Sequence, residues 1–198
     1  SSVSTMGSLS FSNGVTYTPG FSPTVSTYSA ATVPQATSSA TVTVMPTYSE
    51  AFCQYTFNGA TSTYVALTNG QPSPALPFPV GDVAIWINCI SQDGLSTSLY
   101  IINVHRLSND ATLSTLSVST GIVTPPFASA TLTGYRVATT DNAVSFSVLP
   151  SSSKAKFTYR WRGGGVVTGT GNTIAGLVPG IGDNLLQVTV TSEDNANT

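Results

Sequence analysis

The chain has 198 residues, and only 7% of them are Asp, Glu, Lys or Arg, against roughly 25% in an ordinary soluble domain. With a net charge of −2 it carries no electrostatic footprint for nucleic acid or an anionic membrane, and no stretch approaches the ~18 apolar residues of a membrane helix. Ser and Thr, 58 in all, stand where charges would, a surface suited to an extracellular protein whose hydration is completed by glycans.

In chain order, residues 1–12 read as a continuous extended segment. Period-2 alternation puts Val3, Thr5, Gly7, Leu9 and Phe11 on one face. LSFSNG at 9–14 leads to TPGF at 18–21 and then Tyr28. Val42 and Val44 run into Met45-Pro46, and Cys53, Tyr55 and Phe57 alternate with Gln54 and Thr56. Ile85, Ile87 and Cys89 alternate with Trp86, Asn88 and Ile90, and SLYIINVHR at 98–106 closes the series. The order then begins again: LSVSTG at 116–121, TPPF at 124–127, Tyr135, Phe146 and Val148, Leu149-Pro150, Phe157 with Tyr159 and Trp161. The run GDVAIWINCISQDG at 81–94 returns as GDNLLQVTVTSEDN at 182–195. β-branched residues are dense, turn residues recur every ten or so positions, and no helical period is present. The strand at 98–106 has no second copy before Thr198.

A chain of this length with a period near 105 implies two domains, 1–107 and 108–198. The fold class is all-β: two tandem Ig-like β-sandwiches, the second lacking its own last strand. The linker at 107–113 (LSNDATL) holds neither Gly nor Pro, so the two sandwiches are expected to stack end to end as a semi-rigid rod.

The pattern L-S-x-S-x-G, T-P-x-F, a Tyr, a Val-x-Val run, Gly-Asp with an alternating apolar strand, and Ser-x-Asp-Gly resembles the cadherin-like β-sandwich repeats of microbial and algal surface proteins. The resemblance covers the chain once per copy. It implies an Ig-like fold and an extracellular, mostly non-enzymatic role, and it brings no catalytic residues. Such repeats end on a strand after the Asp-Gly turn; copy one has it and copy two departs from the pattern.

Cys53 and Cys89 are the only cysteines. Both fall at inward strand positions whose counterparts in copy two are Phe157 and Val190. A disulfide across the sandwich is expected, with two buried thiols as the rival reading. His105 is the one histidine and reads as a solvated strand-end residue. The eight carboxylates are scattered. Asp82 with Asp183, and Asp93 with Asp194, sit at equivalent turns, where Asp bonds nearby amides. Calcium at Asn109 and Asp110 would need a denser acidic set, and no cofactor or metal is called for. Gly163-Gly-Gly165 reads as a hairpin tip, and Lys154, Lys156, Arg160 and Arg162 as a small basic strip on a solvated face.

No Asn-x-Ser/Thr acceptor occurs with all three residues present, so sugars would be O-linked. The candidates, modified prolines included, are Thr18, Pro19, Ser22, Pro23, Ser73, Pro74, Thr124 and Pro125. The expected function is an extracellular structural subunit that assembles with copies of itself head to tail and carries covalent glycans. A strand donated by a neighbour, from the face Val3, Thr5, Gly7, Leu9 and Phe11, would fill the gap in copy two. The alternative is an adhesive or sugar-binding spacer module of a larger surface protein, with Trp86, Tyr48 and Tyr64 as a stacking platform.

Overall fold

The computed structural model describes residues 1–30, 32–60 and 63–198. The described residues are strand, turn and coil, without helix, and they divide into two compact units, Ser1–Leu107 and Ser108–Thr198.

The first unit has ten strands: β1 Met6–Phe11, β2 Tyr17–Thr18, β3 Thr27–Ala30, β4 Ser39–Ala40, β5 Val42–Pro46, β6 Phe52–Phe57, β7 Val65–Ala66, β8 Leu76–Pro77, β9 Gly81–Ile90 and β10 Thr97–Arg106. One six-stranded sheet runs β2-β3-β10-β9-β6-β7, and the pairs β1-β5 and β4-β8 complete the sandwich. The alternation predicted for 52–57 and 81–90 is seen in the burial: Val83, Ile85, Ile87 and Cys89 face inward, while Ala84, Trp86, Asn88 and Ile90 lie on the outer face. β10 occupies the interior of the sheet. It pairs antiparallel with β9 over its whole length and parallel with β3, and it puts Tyr100, Ile102 and Val104 into the core.

Two sequence expectations are corrected here. The disulfide does form between Cys53 and Cys89, with Cα atoms 4.0 Å apart, but it does not cross the sandwich. Cys53 and Cys89 are register partners on the adjacent strands β6 and β9. The Cys53 carbonyl accepts from Leu67 N on the β7 side, which makes the cysteines a non-hydrogen-bonded pair, the close kind of cross-strand neighbour. In the second unit Phe157 and Val190 are register partners in the same way.

The second correction concerns the amino-terminal face. Val3, Thr5, Gly7, Leu9 and Phe11 do not share one face, because the register of β1 against β5 shifts between Met6 and Ser8. Such a bulge moves side chains to the opposite face, so Ser4, Met6 and Leu9 are buried while Val3 and Gly7 are exposed. The segment before Leu9 belongs to its own unit. Ser1 N donates to Gln92 Oε1, Ser4 Oγ meets Ser98 Oγ at 2.9 Å, and Met6 N donates to the Tyr100 hydroxyl at 3.0 Å.

The second unit has six strands: β11 Leu113–Val118, β12 Val144–Pro150, β13 Lys156–Trp161, β14 Val167–Thr168, β15 Thr173–Leu177 and β16 Leu186–Thr191. They form two three-stranded sheets, β11-β12-β15 and β14-β13-β16. β11, β12, β13, β14 and β16 repeat the pairings of β1, β5, β6, β7 and β9, down to a register shift at Leu113/Thr115 that matches the one at Met6/Ser8. Among the described residues nothing repeats β10, so β16 has β13 on one side and no strand on the other.

Candidate functional site

The consequence of that missing neighbour is visible side chain by side chain. Ile85 and Ile87 of β9 are fully buried, with Ile102 and Tyr100 opposite them in β10. Their counterparts in β16, Leu186 and Val188, also point inward but are only half-buried. Leu116, in the place of buried Leu9, is half-buried too. Among the described residues the core of the first unit contains nineteen buried side chains and that of the second six.

The Phe127–Tyr135 loop keeps the hydrogen bonds of its counterpart in the first unit. In the first unit the Tyr28 hydroxyl donates to Ser22 O at 2.8 Å and accepts from Ser22 N at 3.2 Å, while Phe21 stacks on Tyr28. In the second unit the Tyr135 hydroxyl donates to Ala128 O at 2.8 Å and accepts from Ala128 N at 3.0 Å, with Phe127 at 5.8 Å. The bridge Thr124–Arg136 stands where Thr18 pairs with Ser29. Tyr28 is fully buried in its core, yet Tyr135 is half-exposed and outside the second core. The loop therefore has the conformation of its counterpart without the strand that its counterpart rests on.

The remaining candidate residues fall as follows. Asp93 Oδ1 accepts from Ser91 Oγ at 2.6 Å and Leu95 N at 3.1 Å, and Asp194 Oδ1 accepts from Ser192 Oγ at 2.6 Å and Ala196 N at 2.9 Å. These bonds, the serine hydroxyl first, hold both carboxyl groups below the usual aspartate range. The next residue takes positive φ in both copies, as Gly94 (72°) and Asn195 (57°), the two residue types that adopt this conformation most readily. Each turn also holds the start of its unit: Asp93 N donates to Ser1 O and Asp194 N to Ser108 O.

The other equivalent pair is not alike. Asp82 Oδ1 lies 2.6 Å from His105 Nδ1 across β9 and β10, so His105 is a cross-strand hydrogen-bond partner rather than a solvated strand end. Asp110 accepts from Thr112 N and Oγ1 at 2.8 and 2.7 Å. Arg106, which the sequence did not single out, fastens two loops: Nε and Nη2 donate to Gln35 O, and Nη1 to Phe78 O.

Thr18, Pro19, Pro23, Pro74, Thr124 and Pro125 are exposed, Ser22 is half-buried, and Thr18-Pro19 and Thr124-Pro125 are both cis. Ser73 is corrected as a sugar acceptor. It is buried, and its hydroxyl accepts from Val42 N and donates to Pro74 O. Trp86 lies on the outer face of the sheet between Ile101 and Thr56, tight against the turn glycine Gly59. Among the described residues no ring contact joins it to Tyr48 or Tyr64.

A family profile described as the cadherin-like beta sandwich domain matches residues 3–107, nearly the whole first unit. The chain belongs to the cadherin-like family. Cadherin-like sandwiches are non-catalytic structural or adhesive modules, and the fold together with the Cys53–Cys89 disulfide is typical of extracellular proteins. No curated protein matches the chain. β10 lies within the matched cadherin-like span, which marks it as part of the domain rather than an addition to it.

Proposed function

We propose that this cadherin-like chain is a non-enzymatic structural subunit of an extracellular filament, in which the open face of the second unit receives a strand from the next subunit. The observation that carries the reading is the half-buried inward row Leu186 and Val188 beside a strand edge that has no neighbour among the described residues. An unpaired edge backed by apolar side chains is a template for another strand. A head-to-tail contact of this kind does not close on itself and so propagates into a fibre. Of the candidate donor segment, Met6–Phe11 is paired with β5 within its own unit.

The exposed Thr18 and Thr124, and the exposed Pro19, Pro23, Pro74 and Pro125, are the positions at which O-linked sugar would sit without disturbing the core. Sugar there would hydrate a surface poor in charge. Negative-stain electron microscopy of the purified natural material, with intact mass on the same sample, tests this reading. Uniform fibres of sugar-bearing chains are expected. Monodisperse particles of unmodified chain would refute it.

A further inference from the structure

The chain's net charge of −2 conceals a local concentration of the opposite sign. Four of its six Lys and Arg residues, Lys154, Lys156, Arg160 and Arg162, fall within nine positions, and no Asp or Glu occurs between Asp141 and Asp183. We infer that the outer face of the β14-β13-β16 sheet binds an anionic polysaccharide, a polymer that offers carboxylate or sulfate groups along a hydroxyl-bearing chain.

β13 sets the charges in line. Phe157, Tyr159 and Trp161 belong to the core side, so Lys156, Thr158 and Arg160 share the outer face, with both cations exposed. Their register partners on β16 are Thr191, Thr189 and Gln187, and Thr168 of β14 pairs with Thr158. These β16 residues lie on the opposite side of the strand from Leu186 and Val188, so this face is distinct from the apolar one. None of the three strands carries a carboxylate. Among the described residues no ion pair engages Lys156, Arg160 or Arg162.

The fold itself does not call for these charges. The first unit builds the same pairing with Phe52, Gln54 and Thr56 where the second has Lys156, Thr158 and Arg160. At the turn that follows, Asn58 N donates to Ala84 O and Arg162 N to Leu185 O, and the two residues take positive φ, 50° and 51°. Asn enters this conformation readily, and the Asn58 side chain also accepts from Ala84 N. Arg does not favour it. The Arg162 guanidinium lies against Gly180 and makes no hydrogen bond among the described residues. A strained position held by a cation without a structural partner points to a role in binding.

Spacing and chemistry select the ligand. Lys156 and Arg160 are four strand residues apart, ~13 Å, and the line from Lys156 to Arg162 runs ~20 Å. A single small anion cannot bridge that length, whereas an extended polyanion can. Between the cations the face presents hydroxyl and amide groups, which pair with sugar hydroxyls. It has no aromatic residue on which a nucleic-acid base could stack. Nor does it offer the apolar core on which protein interfaces are built.

The test measures binding of the intact chain to polygalacturonate, dextran sulfate, neutral dextran, polyglutamate and single-stranded DNA at about 50 and about 200 mM salt. At least one of the two acidic polysaccharides is expected to bind, more weakly at the higher salt, and neutral dextran is not. Binding of polygalacturonate alone would assign the site to carboxylates, and of dextran sulfate alone to sulfates. The triple variant Lys156→Gln, Arg160→Gln, Arg162→Asn should bind at least about tenfold more weakly. Its thermal unfolding should stay unchanged, because the first unit carries uncharged residues at those places. Arg136→Gln, which removes an exposed cation elsewhere in the second unit, should bind as the parent does. Should the triple variant unfold, Arg160→Gln alone carries the test, with a loss of at least about threefold. If neither acidic polysaccharide bound, or if the variants bound as tightly as the parent, the site would fall. Polyglutamate or DNA binding as tightly as the better polysaccharide would overturn the polysaccharide assignment.

Discussion

At the scale of single residues, the repeated Ser-x-Asp turn is the feature most open to measurement. Asp93 and Asp194 each accept a serine hydroxyl and a backbone N–H, and both titrate below the ordinary range. A carboxyl whose folded pKa is depressed contributes stability that is fully present above the unfolded value, near 3.9. That contribution is lost as pH falls through the folded value. Stability is therefore expected to drop on acidification below about pH 4. The double variant Asp93→Asn, Asp194→Asn should show a shallower drop, as measured by thermal unfolding between about pH 2 and pH 6. An unchanged acid limb would remove the turns from the account. This turn chemistry was legible in the sequence because the same residues recur at the same spacing in both copies. The His105–Asp82 pair was not, since it depends on which residue of β10 lies beside which residue of β9.

At the scale of elements, the cysteines show what alternation can and cannot tell. Inward placement on two strands was readable from the period-2 pattern; which strands are neighbours was not. Either arrangement closes a loop of 36 residues in sequence separation, so the stabilisation expected from chain entropy is the same, about 3–4 kcal/mol. Replacing both Cys53 and Cys89 with Ala should lower the stability of the first unit by at least that amount. Denaturant unfolding should show it, while exchange protection in β13 and β16 stays as it was.

β1 supplies the opposite lesson. Its alternation looked continuous from Val3 to Phe11, but the register shift at Met6/Ser8 breaks it, and a bulge is a backbone event with no reliable mark in side-chain pattern. β10 ties the two sheets together through one hydroxyl. Tyr100 is buried, burial raises its pKa, and it bridges Met6 N and Pro23 O. Tyr100→Phe removes that partner from two backbone groups and should cost about 1–3 kcal/mol, seen as a lower midpoint of the first unit. A shift below a few tenths of a kcal/mol would mean that the bridge does not matter.

At the scale of the whole molecule, two units with one plan have unequal cores. The repeat was readable from the sequence, because the same runs recur in the same order about 105 residues apart. The preformed Tyr135 loop was not readable, because only coordinates reveal that it keeps its counterpart's hydrogen bonds without the strand beside it. Full burial of a side chain such as Tyr, Ile or Val contributes roughly 1.5–3 kcal/mol. A completing strand with three such residues would change the second unit's stability by several kcal/mol before its ordering cost is subtracted.

The most direct measurement is therefore a comparison of the chain with a version in which a copy of residues 95–106 is appended after Thr198, so that the strand is supplied in cis. The account predicts that the unfolding transition of the second unit moves up by at least ten degrees. Hydrogen exchange at 186–191 should slow to the level of 85–90, and any fibres formed by the original chain should no longer form. An unchanged transition with β16 still exchanging freely would contradict the claim that the open face of the second unit is a site for a strand.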